Sequence, residues 1–378
     1  MPQPRRDQAA SLSGVRIAQV IECDGPGGAE RVVAHLCKAL TARGAEVVAF
    51  MPLGRDGWLG QQLRDSSVSI EGFDRRRAFS PGFAAWLTRS LRSYRVDLAH
   101  SHEFTFAVHG AWSARRLGIG HVTTIHGGRY WAGALRRRIL FRFALALGGE
   151  LAAVSETLRA HLAEDLHLPE RRIRYIPNGV PSDNVGRREP PRRELGLGNS
   201  ERVALAIGNL YPVKGHGVLI DALGLLRDRQ PGLHVVVAGR GAEEVSLLAR
   251  AESLGVRDRV HLLGLRSDVT DLLAAADLFV MPSISEGLPM ALLEAIFART
   301  PIVASAVGAI PDVLERGAGG LLVPPGDSHQ LADAIDDALT KTAAAVQRTA
   351  RARENAMGRY SLDAMVDRYV EVYTPLLR

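Results

Sequence analysis

Short apolar runs and amphipathic stretches alternate along almost the whole chain. The first run, VRIAQVI at 15–21, is brief and rich in β-branched residues, the mark of a strand buried on both faces. A glycine-rich turn, GPGGAE at 25–30, follows it. Apolar residues then recur at Val32, Val33, Leu36, Cys37 and Leu40, the period of a helix, which Gly44 should close. Further strand-like runs fall at 46–50, 96–100, 121–125, 151–155 and 172–177, with helical stretches between most of them. This alternation predicts an α/β fold with a parallel sheet covered on both faces.

The stretch 181–200 breaks the rhythm. It is rich in proline, arginine and polar residues, and it reads as a linker between domains. Alternation then restarts, with strand-like runs at 202–208, 233–239, 259–264, 277–282, 301–305 and 320–325. Helices are expected at about 216–229, 242–254, 268–275, 289–298 and 328–345. The expected organisation is therefore a leader at 1–14, a first doubly wound domain at 15–180, the linker at 181–200, a second doubly wound domain at 201–355 and a final helical segment at 356–378. Two such sheets would face each other across a cleft, with ligands held by the loops at the carboxyl ends of the strands.

Composition narrows the picture. With 46% hydrophobic and 23% charged residues in 378, the chain has the balance of a soluble two-domain protein. No apolar run is long enough to span a bilayer, and the leader lacks the apolar core of a secretory signal. The two cysteines, Cys23 and Cys37, lie in or beside apolar segments and have no zinc-binding spacing, so the cytoplasm is the expected compartment.

The net charge of +6 comes largely from arginine clusters at 75–77, 136–138 and 187–193, and suits an anionic partner. Nucleic acid is not expected, because the arginines mostly lack interleaved aromatics and no reading motif is present. The segment 129–147, RYWAGALRRRILFRFALAL, has two readings. It is either a basic amphipathic helix in peripheral contact with an anionic membrane, or a half-buried domain helix with an arginine-rich outer face.

The most informative stretch is MPSISEGLPMALLEAIFARTPIVAS at 281–305. A strand should end near Met281 and a helix should start near Pro289, where proline's missing N–H is no loss. The unpaired N–H groups of such a start attract an anion, and a diphosphate would suit them. Glu286 precedes the helix and Glu294 lies inside it. Two carboxylates beside a diphosphate make sense as acceptors for hydroxyls, Glu286 on a sugar and Glu294 on a ribose.

The string from Glu286 through Gly287, Leu288, Pro289 and Met290 to Glu294 resembles the E-x7-E signature of glycosyltransferase family 4, and PIVASAVGAIPDVL (301–314) resembles its usual continuation. The resemblance runs over nearly the whole chain from about residue 15. It implies a GT-B fold, two Rossmann-like domains facing across a cleft with a C-terminal helix crossing back to the first. It also implies retaining transfer from a nucleotide-sugar, with no cofactor and no metal. No DxD motif occurs in the chain.

The same resemblance assigns roles elsewhere. GNLYPVKGH (208–216) is similar to the family's phosphate-binding segment, in which Lys214 neutralises the diphosphate; Asn209 stands where many relatives carry arginine. TIHGG (124–128) places His126 at the donor sugar. Gly27 and Gly28 would let donor phosphate or acceptor approach the backbone. Gly239, Leu263 and Leu265 fall in segments resembling the loops around the nucleotide base.

The implied catalytic set is His126, Lys214 and Glu286. The implied reaction moves a hexose from a UDP- or GDP-sugar to a glycan, lipid-linked or small-molecule acceptor, in polysaccharide or glycolipid biosynthesis. It would run in the cytoplasm or at the cytoplasmic face of a membrane. A sugar-nucleotide epimerase or phosphorylase on the same fold, or a catalytically silent nucleotide-binding module to which Asn209 points, are the competing readings.

Overall fold

A computed structural model describes residues 12–52, 57–64, 66–74, 81–127, 132–183 and 185–377. Two compact units emerge. The first comprises residues up to Val180 together with the segment from Leu362, and the second is Pro181–Ser361.

The first unit is built on a sheet of seven strands. These are β1 (Arg16–Val20), β2 (Glu46–Pro52), β3 (Ser69–Phe73), β4 (Leu98–His102), β5 (Gly120–Ile125), β6 (Glu150–Ala153) and β7 (Ile173–Tyr175). Their order is β3-β2-β1-β4-β5-β6-β7, and every pairing is parallel. β1 and β4 are almost wholly buried because helices cover both faces, and they bury polar side chains, Gln19 in β1 and His100, Ser101 and His102 in β4, along with their apolar ones. Under the β2–β3 side, Phe50, Phe73, Phe83, Trp86 and Phe106 form an aromatic cluster with ring centroids 5.1–6.1 Å apart, mostly edge to face. β3 is absent from the pattern-based expectation. It is an edge strand in which only Phe73 is buried, so it carries no apolar run.

The second unit repeats the plan with six strands: β8 (Arg202–Ile207), β9 (Leu233–Ala238), β10 (Val260–Leu262), β11 (Leu278–Met281), β12 (Ile302–Ser305) and β13 (Leu321–Val323). Their order is β10-β9-β8-β11-β12-β13, again all parallel. In both sheets the order reverses beside the first strand, between β1 and β4 and between β8 and β11. Crevices at such reversals are where doubly wound sheets bind ligands.

Two boundaries differ from the sequence-based expectation. The stretch 181–200 belongs to the second unit, and it contains a helix, Glu189–Glu194. Its arginines are anchors. Arg192 is buried and donates to the carbonyls of Ala275, Gly198 and Glu201, while Arg187 pairs with Asp271 and Arg188 with Asp277. A polar, proline-rich composition can therefore mark a charge-stitched strap rather than a spacer.

The second boundary falls at Ser361. The helix Thr342–Tyr360 stays with the second unit, and only the helix Leu362–Tyr373 returns to the first. There Tyr369 and Tyr373 are buried. The Tyr373 hydroxyl lies 2.7 Å from His100 Nδ1 and the Tyr369 hydroxyl 3.0 Å from Thr124 Oγ1. Among the described residues no helix is long and apolar enough to cross a membrane.

Candidate functional site

In the second unit, the loops leaving β8 and β11 are locked together by backbone. Ile284 N donates to Val213 O at 2.8 Å. Gly215 has a left-handed backbone (φ +68°), and a Cβ there would lie 2.0 Å from Pro282 O. Gly308, also left-handed at φ +55°, backs onto Glu286 O in the same way, at 2.1 Å. These close approaches are why glycine stands at both positions. His216 adds a ring: its Nε2–H donates to Gly208 O at 3.2 Å, and burial pushes its pKa down to about 4, so it is a neutral strut at physiological pH.

This framework brings Lys214 and Glu286 together. Lys214 Nζ lies 2.7 Å from Glu286 Oε1, and Ser283 Oγ donates to the same oxygen at 2.8 Å. Neither bond uses Oε2 of Glu286. The Glu286 side chain is 8% exposed and that of Lys214 29%, so the pair sits at the mouth of the crevice rather than on open surface. Beyond it the chain passes Gly287 and the buried Leu288 to Pro289, which is the N-cap of the helix Met290–Phe297. That cap makes no side-chain hydrogen bond, and the first turn holds no acidic residue. The N-cap Pro289 thus gives no side-chain bond to the first N–H groups of the helix, beginning at Met290, and a helix start of this kind favours an anion. Glu294 lies half-buried in the second turn.

The remaining second-unit candidates line the adjoining loops. Asn209 is half-buried in the turn after β8, with its carbonyl accepting from Tyr211 N at 2.8 Å. Gly239 follows β9 so closely packed that a Cβ would lie 1.9 Å from Gly208 O, and it bridges to Gly264. Leu263 N donates to Val237 O at 2.9 Å, whereas Leu265 is exposed. Gly239, Asn209 and Lys214 thus belong to one loop cluster, with Leu263 and Leu265 at its β10 side.

In the first unit, Gly27 caps the helix Gly28–Ala42 with an ordinary φ of −80°, so it serves close approach and not a left-handed turn. A Cβ on Gly27 would meet the carboxyl of Glu30 at 2.3 Å. His126 follows β5. Its Nε2 lies 2.8 Å from His102 Nδ1, and His102 Nε2 lies 2.8 Å from Gln19 Oε1. The amide oxygen can only accept, so His102 carries its proton on Nε2 and accepts on Nδ1. His126 then donates from Nε2 and keeps a lone pair on Nδ1. Burial pushes the His126 pKa down to about 4, and that of His102 well below the usual value.

The sequence reading did not single out Gln19, His102, Glu103, Ser283 or His216. The signal for His102 was present: His100 and His102 alternate at the end of β4 with the period that puts both on one sheet face. Gly128 and residues 129–131 lie outside the described residues. Cys23 and Cys37 form no disulfide, and burial pushes the Cys37 thiol up to about 12. Among the described residues no group of histidine, cysteine or carboxylate side chains is placed to hold a metal ion.

Comparison with known proteins agrees with this architecture. Residues 187–358 match the family described as glycosyl transferases group 1, and residues 26–184 match glycosyltransferase family 4. The D-inositol 3-phosphate glycosyltransferase of Thermobispora bispora is 30% identical over 339 residues, covering 80% of this chain and 77% of its own. The phosphatidyl-myo-inositol mannosyltransferase of Mycobacterium leprae is 29% identical over 360 residues, 93% of each chain. Among solved structures, a glycosyltransferase from Rickettsia africae superposes with a TM-score of 0.85 at 20% identity, over 96% of this chain and 99% of that one. Anabaena HepE in complex with UDP-glucose gives 0.81 at 23% identity, over 96% and 100%. With both halves matched in order, and a relative at 30% identity over most of both chains, the protein belongs to the group 1, family 4 glycosyltransferases and has their GT-B fold.

Proposed function

We propose that the protein moves a hexose from a nucleotide-sugar to a glycan, lipid-linked or small-molecule acceptor, keeping the anomeric configuration and using no metal. The observation that carries this reading is the Lys214–Glu286 pair at the β8/β11 reversal, beside a helix start whose N-cap, Pro289, makes no side-chain bond. The diphosphate would take the helix N–H groups and the Lys214 ammonium. Negative charge grows on the leaving phosphate as the glycosidic bond breaks, and a cation there stabilises it. Glu286 Oε2 would accept from the sugar hydroxyls and Glu294 from the ribose.

In this reading Glu286, whose Oε1 is taken by Lys214 and Ser283, serves as a hydroxyl acceptor through Oε2 rather than as a nucleophile. Same-face displacement follows as the favoured route, with the leaving phosphate taking the acceptor's proton. Asn209 leaves Lys214 as the cation this loop supplies. His126, neutral in the first unit, would meet the sugar. A uridine base is favoured by HepE, which is solved with UDP-glucose, and inositol-type acceptors are named for two relatives.

Peripheral membrane contact belongs to the same proposal. The helix Leu135–Ala146 buries only Phe141 and Ala144. It exposes Leu135, Ile139, Leu140 and Phe143 beside Arg136, Arg137 and Arg142. The exposure of those apolar side chains is what supports this reading over a half-buried domain helix.

A thermal-shift screen against UDP, GDP, ADP and their sugars, without added metal, tests the donor site. A ligand that binds only the native state raises stability by about 2.7 kcal/mol at a hundredfold over its Kd. One nucleotide family should raise Tm, and Lys214→Ala and Glu294→Ala should each remove most of the rise. No shift with any nucleotide would sink the donor site, whereas a shift with neither transfer nor donor hydrolysis would favour the silent module. A shift followed by an epimerised or phosphorolysed product would favour the other rival.

A further inference from the structure

A doubly wound sheet meets its ligand at the loops on its carboxyl edge, so the charges those loops carry decide what an anion finds there. Among the described residues, the loops leaving the six strands of the second unit carry three lysine or arginine side chains: Lys214 after β8, Arg240 after β9 and Arg266 after β10. Two of them are committed. Lys214 lies 2.7 Å from Glu286, so that pair brings no net charge to the crevice. Arg266 is gripped from both sides, by Glu194 and by Asp268, through four bonds of 2.6–2.8 Å. Arg240 is exposed, and its guanidinium has no hydrogen-bonding or ionic partner among the described residues. Glu243 and Glu244 follow it in sequence, and neither pairs with it.

The β9 loop is built to present this one side chain. A Cβ on Gly239 would lie 1.9 Å from Gly208 O, and a Cβ on Gly241 would lie 2.4 Å from Leu210 O. Neither glycine has a left-handed backbone, so crowding alone excludes a side chain at both. The backbone between them is pinned. Leu210 N donates to Arg240 O at 3.0 Å, Glu243 N donates to Leu210 O at 3.3 Å, and Gly239 bridges to Gly264. The flanking residues thus turn their Cα atoms onto the β8 loop, and residue 240, between them, stands out on the open side. Asn209, uncharged, belongs to the same contact, its N 3.2 Å from where the Gly239 Cβ would be. An arginine on a fixed backbone loses little freedom in binding, and its planar fork of donors matches the oxygens of a phosphate.

We infer that Arg240 binds the diphosphate of the nucleotide ligand and supplies the net positive charge that the Lys214–Glu286 pair and the neutral Asn209 do not. The inference rests on the nucleotide-sugar reading for the identity of the ligand, and on the charges and loop geometry of the second unit alone for the anion. A guanidinium that is unpaired in the free protein gains a charge-assisted bond without breaking one, whereas Lys214 has to share its charge with Glu286.

The test is isothermal titration of the full chain with inorganic pyrophosphate, and with the nucleotide found in the thermal-shift screen, both as its diphosphate and as the bare nucleoside. Arg240→Gln removes the charge at an exposed position and keeps most of the length. It should weaken pyrophosphate and the nucleoside diphosphate by about tenfold, the size of one charge-assisted bond, and leave the nucleoside's affinity unchanged. Arg240→Lys, which keeps the charge, should hold most of the affinity. Added salt should weaken the diphosphate more steeply for the native chain than for Arg240→Gln, which has one fewer charge to screen. Four outcomes would overturn the proposal: no binding of pyrophosphate to the native chain, unchanged affinity for both anions in Arg240→Gln, an equal loss for the nucleoside, or a lysine variant no better than the glutamine one. If pyrophosphate binds and needs Arg240 but no nucleotide binds, the anion site stands and the nucleotide-sugar reading falls.

Discussion

At the scale of single residues, glycines with left-handed backbones separate conformational strain from crowding. Gly308 and Gly326 both have positive φ, at +55° and +78°. A Cβ on Gly308 would lie 2.1 Å from Glu286 O, whereas on Gly326 its nearest neighbour would be Ile284 at 3.9 Å. Gly326→Ala should cost only the backbone term, about 1–2 kcal/mol. Gly308→Ala must also push the Glu286 loop aside, and should cost about 1–3 kcal/mol more. Urea denaturation of the two variants measures the difference. Equal losses would mean that the loop yields freely and that its geometry is not fixed from behind.

Lys214, Glu286 and Glu294 were legible in the sequence because each sits in a contiguous string whose order carries the chemistry. Glu103 was not, because its partners come from residue 126 on one side and from residues 22 and 30 on the other. Only the parallel pairing of β1, β4 and β5 assembles them.

At the scale of elements, periodicity located nearly every strand and most helices, but it could not say which face of a helix looks outward. The helix Leu135–Ala146 shows the difficulty. Leu135, Ile139 and Phe143 follow the i, i+4, i+8 spacing that a core demands, yet they are 64%, 57% and 52% exposed. Exposed apolar residues beside arginines suit the boundary between lipid headgroups and acyl chains.

The full chain should therefore co-sediment with vesicles containing anionic lipid, much less with zwitterionic ones, and less again as salt rises. Replacing Ile139 and Phe143 together by Gln should release it. Binding that ignores lipid charge, or survives the double replacement, would remove the membrane from the account. The arginine-rich stretch 181–200 misled in the opposite direction. Its charges have fixed partners in Asp271 and Asp277, which lie in a different part of the sequence.

At the scale of the whole molecule, the two units differ in how they carry histidine. In the first, burial holds His35, His121 and His126 down to about 4, and His100 and His102 well below their ordinary value. In the second, His216 is held down to about 4, and partial burial lowers His234 and His261. A folded pKa below the unfolded 6.5 means that the unfolded chain takes up the proton first. Stability is then full above 6.5 and lost as pH falls toward 4, by up to about 3 kcal/mol per histidine for that shift.

Glu103, with its pKa raised to about 8, works the other way: its contribution is full below 4.5 and lost as pH rises through 8. In the acid window the histidines outnumber it. Calorimetry should show two transitions, with that of the first unit falling faster between pH 7 and 5. Parallel displacement of both would show that the histidine network opens to water before unfolding.

The two-sheet plan itself was plain from the alternation of runs, whereas the return of the last helix to the first sheet rested on resemblance, because an amphipathic pattern names no partner. That return has a consequence for how the protein is made. Ribosomes deliver the chain from its amino end. His100 and Thr124 therefore emerge long before Tyr373 and Tyr369, the hydroxyls that cover them. The second unit is continuous in sequence and can fold as it leaves the exit tunnel, but the earlier-born half must wait, unsealed, for residues translated after its younger neighbour.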